Sequence, residues 1–129
     1  MREMESEKTA LDEVLAFYAG HAEFFNRPPE DANAVGSENS ILNIASYKGN
    51  LGHVKLLVSN GANLNFQGDM GNTPLHDATS SGSQNVVEFL LKAGSDPKIR
   101  NEFGNTALDD ALARGNRKIA SIIRKAMHR

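Results

Sequence analysis

The chain contains no cysteine and no tryptophan among its 129 residues. The absence of cysteine excludes a disulfide framework and a thiolate zinc site and favours a reducing compartment, so we expect a cytoplasmic protein. No apolar run approaches the roughly 18 residues of a membrane-spanning helix, and the N-terminal residues lack the apolar core of a signal peptide. Because 40% of the residues are hydrophobic and 23% are charged, the composition is that of one soluble folded domain.

Charge is unevenly distributed, although the formal net charge is only -2. Acidic residues outnumber basic ones before Asn39, whereas the residues from Arg114 onward include basic side chains and no acidic ones. A basic tail is one mark of a nucleic-acid-binding protein. Cations near a helix C-terminus also complement the helix dipole, and no aromatic residues are interleaved with them here, so we favour this second interpretation.

One stretch of sequence recurs twice with a spacing of 33 residues, from Gly71 to Gly104. The copies read "ENSILNIASYKG" at 38–49, "GNTPLHDATSSG" at 71–82 and "GNTALDDALARG" at 104–115. The residues that follow each copy also match, and each unit reads as a turn, a short helix, a second helix and an extended segment. Helix pairs this short cannot bury their own apolar faces, so the units must stack into a solenoid.

The middle unit shows why two helices are predicted. Thr73 is a favourable N-cap, and Pro74 is a favourable first residue of a helix. Gly82 and Gly94 are expected to end the two helices in the left-handed conformation, which a residue with a Cβ resists. An apolar stripe at helical spacing marks the second helix and consists of Val86, Val87, Leu90 and Leu91. The polar segment after Gly94 predicts a hairpin that reaches the next unit.

The period, the motif "TPLH" at 73–76 and the segment "GNLGHVKLLVSNGAN" at 49–63 resemble ankyrin repeats. The tetratricopeptide repeat has a similar length but lacks the hairpin and this motif. The resemblance implies an all-α solenoid of helix-turn-helix units joined by β-hairpin-like loops. We predict three repeats, at about 37–69, 70–102 and 103–127, within residues 37–129, and we expect residues 1–36 to form a capping helix and an enlarged loop, as a degenerate first repeat.

Both ends of the array depart from the pattern. Arg124 occupies the position of Leu91, so the surface that would face a further unit is charged, as expected of a C-terminal cap. In the N-terminal helix we predict Thr9 as the N-cap and Gly20 as the stop. Its apolar face is predicted to consist of Leu11, Val14, Leu15 and Tyr18.

The loop before the first repeat contains two adjacent phenylalanines, Phe24 and Phe25, which either anchor the cap or lie exposed. We favour the anchoring interpretation. Glu38 stands where Gly71 and Gly104 stand in the later units, which predicts a different turn conformation in the first unit.

His76 is the candidate general base, because it lies beside Asp77. The resemblance implies instead that this histidine hydrogen-bonds within the hairpin and helix start and holds adjacent units together. The other histidines are isolated and lack metal-ligand spacing, and no serine has a G-x-S-x-G context. Acid–base work by Asp77, Asp109 and Asp110 would need a closed pocket, whereas three repeats offer an open groove. We therefore expect no enzyme activity, metal or cofactor.

The resemblance implies binding residues at the hairpin tips and on the solvent face of each first helix. The matching positions are Asn39, Tyr47, Lys48, Asp69, Met70, Asn72, Asp77, Ser80, Ser81, Glu102, Phe103, Asn105, Asp109 and Arg114. Tyr47, Met70 and Phe103 either anchor a partner or pack against neighbouring hairpins.

These positions predict a monomeric protein that binds another protein with a basic surface, and neither nucleic acid nor a membrane. Two more specific roles stay open. One is a bacterial immunity or inhibitor protein that blocks a toxin or enzyme, and the other is a chaperone-like subunit that stabilises an enzyme. The fold does not choose between them.

Overall fold

The computed structural model describes residues 2–24 and 28–128, with side chains from Ala10 onward. The helices in these residues are α1 (Arg2–Ala19), α2 (Ile41–Lys48), α3 (Leu51–Ser59), α4 (Pro74–Ser80), α5 (Gln84–Ala93), α6 (Ala107–Ala113) and α7 (Arg117–Met127). Short 3₁₀ turns cover Ala22–Phe24 and Asp69–Gly71. The described residues contain no β-strand, only an isolated antiparallel bridge between Val35 and Ser40. The predicted all-α class is confirmed.

The helices are stacked in two rows. The first helices α2, α4 and α6 pack side by side, and so do the second helices α3, α5 and α7. Each first helix also packs on the second helix of its own pair. Helix α1 packs on α3 and so extends the row of second helices at the N-terminal end. This arrangement is the predicted helical solenoid.

Each first helix begins with a reciprocal pair of hydrogen bonds, the capping box. The N-cap side chain accepts a hydrogen bond from the backbone N–H three residues later, and the side chain of that later residue accepts one from the N-cap N–H. The pairs are Ser40 with Asn43, Thr73 with His76, and Thr106 with Asp109. Pro74 is the first helical residue of α4, as predicted.

Glycines with a left-handed backbone separate the elements. Gly82 and Gly94 have φ angles of 73° and 111°, so their predicted conformation is confirmed. At the hairpins, Gly71 and Gly104 have φ angles of 73° and 79°. Glu38 at the corresponding position of the first unit does not have a positive φ, which agrees with the prediction of a different turn there.

A single apolar core runs through the stack from α1 to α7. Leu75 contributes from α4, and Val86, Val87 and Leu90 from α5, all with at most 1% of their surface exposed. Leu91 is half-buried. Since every repeat buries its apolar face on its neighbours, the stability of each unit depends on the next one.

The N-terminal cap differs from its prediction in one respect. Val14, Leu15 and Tyr18 are buried in the core, as the helical spacing predicted, and α1 ends at Ala19, immediately before Gly20. The predicted N-cap at Thr9 is wrong, because α1 begins at Arg2. The residues that precede Thr9 are rich in Glu, Met and Lys, whose helix propensity lets the helix extend beyond the capping signal.

The loop after α1 is anchored to the core by a buried aromatic side chain. Phe24 is 1% exposed and belongs to the core, which confirms for this residue that it anchors the cap. Phe25 lies outside the described residues.

Glu23 organises the turn that leads into the first repeat. Its carboxylate accepts hydrogen bonds from the Ser37 hydroxyl (2.8 Å), from the backbone N–H groups of Glu38 (2.8 Å) and Asn39 (3.2 Å), and from the Asn39 side-chain amide (3.1 Å). Burial alone would raise the pKa of Glu23, but these hydrogen bonds outweigh it and lower the pKa from 4.5 to about 2. The ionised carboxylate therefore stabilises the folded state.

At the other end of the array, Arg124 is exposed on α7, whereas Leu91 and Val58 at the corresponding positions are half-buried. The difference arises because no further helix packs on α7 within the described residues. A charge at this position keeps the terminal face solvated.

Leu75→Ala is expected to lower the free energy of unfolding by roughly 2 to 5 kcal/mol, because it truncates a fully buried side chain. Lys92→Ala, on the exposed face of α5, should change it by less than about 0.5 kcal/mol. Urea denaturation measures both. Equal effects would show that the repeat register is wrong.

Glu23→Gln is expected to destabilise the protein by roughly 1 to 2 kcal/mol at pH 7, because the acceptor loses its charge. Since the folded pKa lies below the unfolded value of 4.5, this stabilisation is complete above pH 4.5 and is lost as the pH falls toward 2. Urea denaturation at pH 7, 5 and 3 should show a difference from wild type that is nearly the same at pH 7 and 5 and smaller at pH 3. Glu30→Gln, which removes an exposed carboxylate of the same loop, is the control, and a difference that is constant with pH would contradict the assignment.

Arg124→Leu restores the apolar stripe on α7 and is expected to promote end-to-end association at high protein concentration. Sedimentation velocity over a concentration series measures the association. Lys125→Leu adds the same apolar group at the neighbouring exposed position and serves as the matched control. An Arg124→Leu variant that stays monomeric at high concentration would refute the capping role.

Candidate functional site

A groove of about 720 Å³ lies where the first helices meet the hairpins and the turn after α1. We call it the central groove. Most of the predicted binding positions line it, namely Asn39, Tyr47, Lys48, Asp69, Met70, Asn72, Asp77, Ser80 and Arg114. The repeat register therefore brings residues from all three predicted repeats to one surface.

The remaining predicted positions lie outside the central groove. Glu102 and Phe103 are exposed on the last hairpin, and Ser81 is exposed after α4. The carbonyl of Asn105 accepts a hydrogen bond from His76. Asp109 caps α6 and lies 3.8 Å from the Arg100 guanidinium.

Sequence reasoning missed four residues of the groove: His21, Glu23, Asn43 and Ile44. Asn43 and Ile44 occupy the positions of His76 and Asp77 one repeat earlier, so the repeat register was a signal that pointed to them. His21 and Glu23 belong to the turn after α1, which the repeat alignment does not cover. Only the packing of that turn on the first repeat brings them to the groove.

Large apolar side chains are exposed in the groove and on the adjoining hairpin. The exposed fractions are 60% for Tyr47, 50% for Met70 and 68% for Phe103, so these side chains do not pack away against neighbouring hairpins. Met70 also has a left-handed backbone, with φ of 59°, at a cost of about 1 kcal/mol for a residue with a Cβ. Its carbonyl accepts a hydrogen bond of 2.9 Å from the Glu102 N–H, which links the two hairpins.

Asn43 and Asp77 form the polar floor of the central groove. The Asn43 amide donates to Asp77 Oδ2 (3.0 Å) and to the carbonyls of Asn72 (3.1 Å) and Phe66 (3.3 Å). Burial raises the pKa of Asp77 to about 7, against the lowering effect of the Asn43 hydrogen bond and with a further raising effect from the charge of Asp69. A carboxylate with this environment is only partly ionised at neutral pH.

His76 has the structural role that the resemblance implied. Its Nδ1 accepts a hydrogen bond from the Thr73 N–H (3.1 Å), which leaves the proton on Nε2, and Nε2 donates to the Asn105 carbonyl of the next hairpin (2.9 Å). The ring is 1% exposed. Both nitrogens are thus occupied: the Nδ1 bond caps α4, and the Nε2 bond holds two adjacent units together.

Three carboxylates from successive hairpins, Glu38, Asp69 and Glu102, form what we call the acidic strip. The pKa of Glu38 is raised, chiefly by the charge of Asp69 and less by burial, by a hydrogen bond to Asp69 and by the charges of Glu23 and Glu102. Among the side chains of residues 10–24 and 28–128, the one ion pair is that between Arg100 and Asp109. No group of side chains in the same residues has the composition and geometry of a metal site.

None of the helices in the described part of the chain combines the length and apolar character that a membrane crossing requires. In the comparison with curated proteins, no sequence matches. A family model described as ankyrin repeats, in three copies, matches residues 13–101 and 42–128. Ankyrin repeats are generally protein–protein interaction modules. Because the matched residues make up more than half of the chain, the protein belongs to the ankyrin-repeat family.

Proposed function

We propose that this protein binds a partner protein through the central groove and the hairpin tips, that it does so without catalysis, and that the surface it contacts is basic. The observation that carries the proposal is the exposure of Tyr47, Met70 and Phe103, one large apolar side chain in each predicted repeat. Spreading one interface over several repeats is how a solenoid binds an extended partner.

The apolar part of the proposal follows from burial. When a partner covers an apolar side chain that is half or more exposed, removal of its surface from water contributes favourably to the free energy of binding. The left-handed backbone of Met70 supports the same conclusion, because a glycine at this position would relieve strain in the free protein. The methionine side chain is kept at the hairpin tip despite that cost.

The charged part of the proposal follows from the acidic strip. Its carboxylates lie close enough to raise the pKa of Glu38, and among the described residues none of them forms an ion pair. A basic surface would relieve this repulsion and would be steered toward the strip during association. The same arrangement would repel a nucleic-acid backbone.

The proposal extends to a cytoplasmic protein that is monomeric when free, which the lack of cysteine and the charge of Arg124 support. Inhibition of a toxin or enzyme and stabilisation of an enzyme would both use the same surface. The effect of the protein on the activity and on the melting temperature of the captured partner separates these two roles.

Binding to the partner is expected to weaken by about 2 kcal/mol, roughly 30-fold in Kd, in Tyr47→Ala and Phe103→Ala, because each variant removes an apolar anchor. Met70→Gly should weaken binding similarly while leaving the free protein equally or more stable. Affinity purification and mass spectrometry identify the partner, and calorimetry measures Kd. Leu112→Ala, which truncates an exposed apolar residue outside the central groove, is the control.

The association rate is expected to fall as the salt concentration rises, because exposed charges are screened beyond about 10 Å at 0.1 M. Glu102→Lys should lower the rate at low salt and flatten its salt dependence. Stopped-flow measurements over a salt series test both. If the anchor variants bind the partner as tightly as wild type and the association rate does not depend on salt, the proposal is wrong about the surface. The loop around Phe24 would then be the next candidate for the interface.

A further inference from the structure

Asp77 is the one carboxylate at the floor of the central groove that is held by a single side-chain donor. Asn43 donates to its Oδ2 atom, and no donor in the described residues contacts its Oδ1 atom. The side chain is half-buried, so water solvates the carboxylate only in part. A desolvated carboxylate with a free oxygen has a strong electrostatic preference for a cation.

The cations of the described residues do not satisfy Asp77. Lys48 and Arg114 line the same groove, yet neither lies within 4 Å of a carboxylate in the described residues. The charge that acts on Asp77 is that of another carboxylate, Asp69, which raises the pKa of Asp77 further. Among the described residues, the acidic floor of the groove therefore has no counter-ion.

The sides of the groove suit the stem of a long side chain. Ile44 is buried beside the floor, and Tyr47 and Met70 stand exposed at its edges. Apolar edges around an acidic floor match a side chain with a methylene stem and a charged head. Lysine and arginine both have this form.

On the basis of the proposed function above, we propose that the central groove binds one arginine side chain of the partner protein, with the guanidinium on Asp77 and Asp69 and the stem against Tyr47 and Met70. The planar guanidinium has five N–H donors and can contact two carboxylates at once. It is also less strongly hydrated than an ammonium group and stacks on aromatic rings such as that of Tyr47. Arginine therefore loses less hydration free energy than lysine when its charged group enters a half-buried groove.

Binding of this arginine side chain requires Asp77 in its ionised form. Since the pKa of Asp77 is about 7 in the free protein, the binding-competent fraction falls about tenfold between pH 8 and pH 6. Affinity is thus expected above pH 7 and is lost as the pH falls below it. The other titratable or charged groups that face the groove are His21, Glu23, Tyr47, Lys48, Asp69 and Arg114.

The test uses two arrays of nine-residue peptides with blocked ends. The central residue is arginine in one array and citrulline, its neutral isostere, in the other, and all remaining positions are randomised among residues other than arginine and lysine. At pH 8 the full-length protein is expected to retain peptides from the arginine array only. Exchanging arginine for citrulline in a retained peptide should weaken binding at least about tenfold, as expected for loss of a charged hydrogen bond.

Two asparagine variants assign the effect to Asp77. Asp77→Asn keeps the acceptor for Asn43 and every other titratable group. It should abolish the tenfold change between pH 8 and pH 6 and reduce the preference over citrulline to what the charge of Asp69 alone supports. Asp110 lies at the same position one repeat later, outside the central groove, so Asp110→Asn should behave like wild type. Circular dichroism verifies that both variants fold.

Equal binding of arginine and citrulline peptides, or an Asp77→Asn variant that keeps the full preference, would overturn the inference. If neither array is retained while Tyr47→Ala and Phe103→Ala still weaken binding of the captured partner, the inference fails and the proposed function stands. If those anchor variants are also silent, both fail.

Discussion

One side chain at the start of α2 and one at the start of α4 tie each of these repeats to the next. His76 caps α4 with one ring nitrogen and donates from the other to the carbonyl of Asn105, and Asn43 makes the corresponding bond to the carbonyl of Asn72. Because a two-helix unit cannot bury its apolar face alone, this bond fixes the register in which neighbouring units share a core. The positions of the hairpins, and thus of the central groove, depend on it.

The ends of the array show how this constraint is released. Asp109 stands at the corresponding position in the third repeat, and its ionised carboxylate accepts the capping hydrogen bond but has no donor for a further hairpin. At the other end, Glu23 supplies acceptors to the first turn in place of a preceding hairpin. At each end, a carboxylate thus stands where the interior repeats have an inter-repeat hydrogen bond, and a carboxylate is well solvated by water.

The groove is a by-product of the same geometry. Asn43 is tied to the next hairpin and also contacts Asp77, so the residue that sets the register also positions the acidic floor. The hydrogen-bonding groups of the capping and linking side chains are occupied within the fold, whereas Tyr47, Met70 and Phe103 are exposed. This division between buried links and exposed hairpin residues is what lets a repeat array change its partner without changing its fold.

The 33-residue period, the capping residues and the apolar stripes determined the fold class, the helix starts at Thr73 and Pro74, and the left-handed glycines, because these features depend on local chemistry repeated at fixed spacing. Sequence reasoning placed the start of α1 wrongly and missed Glu23, which lies outside the period. Only the tertiary structure decided that Glu23 and Asp77 line one groove and that Tyr47 and Met70 stay exposed beside it. Burial and its effect on a pKa arise from contacts between elements that are distant in the chain, which a local pattern does not encode.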